Sequence, residues 1–166
     1  GKQESDITVM LDSAIAEAAA STSILCTRKQ LSRDMSIAAI RSIEFKIQDL
    51  LGDQRLRGLP NLGTRENPFY GIRLIPSKEQ TVLPVDGREV LIMDSFGNLS
   101  VAKWKLAASV ETRQVTDDEL VMEDLPKLIH VLIDVLDRHT FLCDKRVDEI
   151  TKIEHLARKL LELTKE

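Results

Sequence analysis

His139 and Cys143 stand four residues apart in the run HTFLCDKR at 139–146. On a helix that spacing puts both on one face, where they could hold a metal or act as a nucleophile and its base. Zinc would need at least two further ligands. The chain offers them poorly: it has three histidines and two cysteines, no CxxC and no second Cys/His pair, so they would have to come from Asp134 or from elsewhere in the fold. A nucleophilic cysteine needs a stabilised thiolate, and no neighbouring residue pattern supplies one. The run is therefore expected to be structural, with both side chains facing a helical seam and no metal between them.

The stretch 53–68, DQRLRGLPNLGTRENP, is the second place where chemistry is conceivable. Its glycines, together with Arg55, Arg57 and Arg65, could cradle a phosphate or a nucleic-acid backbone, with Lys103 and Lys105 added if the following sheet brings them near. The spacing matches neither a P-loop nor a dinucleotide fingerprint. Tyr70 and Trp104 could stack on bases, although single aromatics in strands are more often core. Asp94 is a lone carboxylate at a strand end, His130 and Asp134 form an i, i+4 pair, and His155 lies among charged neighbours. There is no G-x-S-x-G, HExxH, EF-hand or kinase signature. These absences point away from an enzyme, and no metal or cofactor is expected.

Charge narrows the partners. The net charge is −4, and Asp117, Asp118, Glu119, Glu123 and Asp124 are concentrated in TDDELVMEDLP at 116–126. The remainder is close to neutral, which disfavours broad electrostatic capture of nucleic acid. Part of the acidic cluster has a local purpose: T-x-x-E from Thr116 is a capping box, and acids suit the positive end of a helix dipole. The uninterrupted apolar runs are short, such as VLIM at 90–93, so neither a membrane span nor a signal peptide is expected. The two distant cysteines fit a reducing, cytoplasmic setting.

The elements that must position these residues follow from hydrophobic period. Residues 1–52 are helical: Ile7, Leu11, Ala14, Ala18 and Leu25, then Ile37, Ile40, Ile43, Ile47 and Leu51, recur at helical spacing, and Gly52 is a natural terminator. Residues 53–68 are an irregular connector. Between 69 and 115 the period falls to two, predicting strands at 70–75, 81–85, 88–94, 99–104 and 109–115, with an Asp86–Gly87 turn. Residues 116–166 return to helix, capped at Thr116 and again at Asp124. The reading is an α+β fold: N-terminal helices and a long C-terminal helix pack together, with a small antiparallel β-meander inserted between them.

In the last segment a heptad register beginning at Ile129 puts Leu136, Cys143 and Ile150 at a, and Leu132, His139, Arg146 and Ile153 at d. The register crosses HTFLCDKR without a shift, which favours one helix over two. Its apolar stripe is too wide for a simple zipper. We therefore expect a homodimer, and a further protein partner, through Leu132, Leu136, His139, Cys143, Arg146, Ile150 and Ile153. Phe141, opposite the stripe, is a separate candidate contact. Polar His139 and Arg146 at d would fix register at some loss of stability, so His139→Leu is expected to stabilise the fold or loosen its oligomeric specificity, without abolishing binding.

Overall fold

The computed structural model describes residues 1–74, 87–105, 109–121 and 124–165. Its elements run α1 (Lys2–Leu51), β1 (Gly71–Arg73), β2 (Glu89–Asp94), β3 (Leu99–Trp104), β4 (Val110–Gln114), α2 (Asp117–Val121) and α3 (Leu125–Leu163). The α+β architecture is the one the period changes imply, with long helices at both ends and the sheet between them in sequence. The strand expected at 81–85, and Asp86 of the turn after it, lie outside the described residues. Two compact units divide the chain, Gly1–Arg41 and Ser42–Glu166.

The first unit is helix from Lys2 onward, and every residue from Gly1 to Ser32 is exposed. The second begins with the last turns of α1. That helix stops at Gly52, whose φ of 58° puts it in the left-handed region, and the Gly52 amide donates back to the Gln48 carbonyl.

The sheet is an antiparallel meander of order β1-β2-β3-β4. Val90 pairs with Ala102 and Leu91 with Val101, so alternate residues of β2 and β3 point to opposite faces. Both faces are covered, since Val90 to Met93 are all buried. On one face Val90, Ile92, Ala102 and Trp104 pack with Leu62, Phe69 and Val110. The connector thus supplies part of the cover. It is tied down there by the Trp104 indole N–H, which donates to the Leu62 carbonyl at 2.8 Å. The connector itself is ordered by Asn61, whose side-chain oxygen accepts from the Gly63 and Phe69 amides, each at 2.9 Å.

The β2–β3 turn closes against the end of α1. Asp94 accepts from the amides of Phe96 and Asn98, each at 2.9 Å. Gln48 reaches the Asn98 side chain at 2.7 Å, and Glu44 accepts from the Leu99 amide at 2.6 Å. At Gly97, with φ 82°, a Cβ would stand 2.9 Å from a methyl of Ile47, so this turn requires glycine.

Thr116 and Glu119 form the expected capping box: the Thr116 amide donates to Glu119 at 3.0 Å and the Thr116 hydroxyl accepts from the Glu119 amide at 3.4 Å. Asp124 caps α3 by accepting from the Lys127 amide at 3.3 Å. From there α3 runs unbroken for 39 residues, about 60 Å at the usual rise.

Candidate functional site

HTFLCDKR lies within α3 as uninterrupted helix. The connector docks on it. The Arg57 backbone amide donates to His139 Nδ1 at 2.9 Å, and His139 Nε2 stands 3.4 Å from Cys143 Sγ. One residue on, Gly58 has φ 82°, and a Cβ there would fall 2.8 Å from Leu142 and 2.9 Å from Arg138. The connector backbone lies on the helix at Gly58, where it has no side chain.

This geometry settles what His139 can do to the thiol. The Arg57 amide can only donate, so Nδ1 carries the lone pair and the neutral ring holds its proton on Nε2. The ring therefore presents N–H, not a lone pair, toward the sulfur. A general base for Cys143 would need the opposite tautomer. Burial pushes the His139 pKa down, and the nearby Arg57 charge adds to that shift. Among the described residues no group of three or more His, Cys, Asp and Glu side chains is placed to hold a metal. Asp94, the remaining catalytic candidate, commits its carboxylate to the β2–β3 turn.

His139 sits at a d position, yet its polar partner comes from the connector of its own chain. That reverses the expected effect of His139→Leu on fold stability, because leucine would leave the Arg57 amide without its acceptor.

The other seam residues divide along the helix. Leu132 is 3% exposed, enclosed with Leu128, Val131 and Val135 by the chain's own fold. Leu136 and Cys143 are half-buried. Arg146 is exposed and pairs with Glu149 one turn on at 3.1 Å. From Asp144 to Lys165 every residue is exposed, including Ile150 and Ile153. Phe141 is 64% exposed. Leu132 therefore belongs to the core of the second unit, and the seam open to a partner begins near Arg146.

The basic residues do not gather into one patch of bare charge. Arg55 stacks over the Phe96 ring at 4.8 Å, and Arg57 uses its backbone on His139. Arg65 is exposed in the connector. Lys103 lies level with Glu89 on one side and Glu111 on the other, and Lys105 pairs with Glu111 at 2.6 Å.

A charged cluster that sequence reasoning missed lies at the edge of the sheet. Arg113 donates to both oxygens of Glu119 at 2.8 Å and to Glu89 at 2.9 Å. Arg113 and the Thr116 amide hold the Glu119 carboxyl down at about 2. The capping-box pattern marked Glu119, but nothing in the sequence linked it to a residue of β2.

One property of α1 bears on the expectation of no membrane span. Short apolar runs suggested no span, but α1 is continuous. An 18-residue window near its N-terminus has a mean hydropathy of 1.3 and no buried residue, so by length and composition the helix is able to cross a membrane. Against that use, Asp12 and Glu17 interrupt its apolar first half. One aspartate at the centre of a span costs about 3 kcal/mol.

Compared with known proteins, the chain matches no family model, no curated protein and no solved structure.

Proposed function

We propose that this chain is a non-enzymatic assembly module that self-associates, as a two-fold dimer, through its helical faces. The observation that carries this reading is the stripe on α3, which continues after the chain's own fold stops covering it. Ile150, Ile153, Leu156, Leu160 and Leu163 are all exposed, while Asp148, Lys152, Lys159 and Glu162 occupy other sides of the same helix. A continuous apolar face of this kind marks an interaction surface. Helices in water owe most of their stability to packing such a face, not to propensity. Closed two-fold dimers are the commonest way for a soluble chain to cover it.

Sedimentation equilibrium of the full chain tests the proposal, with Ile153→Glu and Leu160→Glu as seam variants. Self-association at micromolar concentration, lost in both variants with the sheet intact, supports it. A wild-type monomer contradicts it. Salt-sensitive retention of DNA or RNA that disappears when Arg55, Arg57 and Arg65 are replaced would favour a nucleic-acid-binding role instead.

A further inference from the structure

Between Ile150 and Leu163 apolar and polar residues separate completely around α3. At about 100° per residue, every apolar side chain of this stretch falls within one arc of about 160°, and every polar one from Thr151 to Glu162 lies outside it. Ile150, Ile153, Ala157 and Leu160 run along the middle of the arc at a and d positions, with Arg146 and Thr164 on the same line at its two ends. All six are exposed. The exposed apolar residues of α1 have no such single face, since Val9 and Leu11, and likewise Ile15 and Ile24, point to opposite sides of that helix. The tail of α3 is thus built to present one stripe to one partner.

We infer that two copies of this tail pair antiparallel along that line, Ile150 level with the partner's Leu160 and Ile153 level with the partner's Ala157, about a two-fold axis at the height of His155. The inference rests on the self-association proposed above and adds its direction and register. Arg146 and Ala157 set both. A parallel pair would stack Arg146 on the partner's Arg146 and Ala157 on the partner's Ala157, placing a charge clash and a gap in one seam. The antiparallel pair sets each Ala157 against an isoleucine, large against small. It also carries Arg146, still beside Glu149, to the end of the seam, level with the partner's Thr164. There the last carbonyls of α3 form the negative end of the helix dipole, and α3 has no base of its own in its last turn. Sliding the pair by one heptad fails in either sense. One shift brings Arg146 against the partner's Ala157 inside the seam, and the other leaves Ile150 beyond the end of the partner's helix at Leu163. Two such arcs bury on the order of 1,000 Å² together, the area that a specific interface requires.

The experiment uses the full chain. Equal amounts of Ile153→Cys and Ala157→Cys protein are mixed reduced at micromolar concentration and then oxidised, and peptide mass mapping separates the new links from any through Cys26 or Cys143. A link between position 153 of one copy and position 157 of the other should exceed the two like-position links about fivefold, because like positions are offset by ~6 Å along the axis and a disulfide needs its Cα atoms within about 7 Å in all. Ile150→Cys mixed with Leu160→Cys tests the next layer with the same expectation, and serves where a cysteine at 153 or 157 weakens the dimer. Dominant like-position links overturn the inference in favour of a parallel pair. A dimer in which neither mixture cross-links, with Trp104 emission unchanged, overturns the register and leaves self-association through another helical face standing. A wild-type monomer overturns both readings, and a monomer that floats with phosphatidylcholine vesicles assigns the stripe to lipid.

Discussion

At the scale of single residues, His139 shows how one hydrogen bond fixes both chemistry and pH response. Its Nδ1 holds the Arg57 amide at 2.9 Å, so His139→Leu should destabilise the fold by about 1–2 kcal/mol in urea unfolding. Asparagine at this position, able to offer an acceptor, should recover part of the loss. Because burial and Arg57 lower its pKa, the unfolded chain takes up this proton first as pH falls. The contribution of His139 to stability is therefore complete above its ordinary value of about 6.5 and declines below it. An NMR titration should find the ring midpoint below that value, and His139→Leu should remove the corresponding loss of stability as pH falls below about 6.5. Glu119 acts in a separate window. Arg113 lowers it from 4.5 to about 2, so its contribution is complete above its ordinary value and is lost as pH falls toward the folded one. Glu119→Gln should lower stability above pH ~5, where that contribution is complete, and flatten the acid limb below it.

At the scale of elements, α3 is one helix with two environments. Its first turns bury Leu128, Val131, Leu132 and Val135, so Leu132→Ala should cost about 2–5 kcal/mol in the folded chain itself. Farther along, Ile153→Glu should leave unfolding of the sheet unaffected and weaken association by at least about a hundredfold, since the seam residue is lost from both copies. The heptad pattern made the stripe legible but could not show where its own chain stops covering it. That boundary depends on the connector, which reaches α3 through one backbone amide and the bare Cα of Gly58, contacts that leave no periodic trace in sequence. Gly58→Ala tests the docking. With φ 82° and a Cβ 2.8 Å from Leu142, it should destabilise by roughly 2 kcal/mol or more, combining left-handed strain with overpacking. What the sequence did expose was local: the period-two strands, the Thr116–Glu119 box, the Asp124 cap and the Gly52 stop, each specified by residues within a few positions of one another.

For the whole molecule the consequence is uneven stability. The Ser42–Glu166 unit has a core of its own around Ile92, Met93 and Leu128. The Gly1–Arg41 unit is a helix whose residues are exposed through Ser32, and the end of α3 is exposed from Asp144 onward. Tertiary packing within the chain stabilises the first kind of structure, and the association proposed above would stabilise the second. Two spectroscopic probes separate them. Trp104 is the single tryptophan and is 3% exposed beneath the connector, so its fluorescence reports the sheet. Far-ultraviolet dichroism reports helix, most of which belongs to α1 and α3. If the proposed dimer forms, diluting the protein through the micromolar range should reduce the helical signal while Trp104 emission stays constant. On heating, the helical transition should precede the tryptophan transition and move to higher temperature with protein concentration, a departure from two-state unfolding. Coincident transitions, independent of concentration, would mean that the exposed helices need no partner to hold their form.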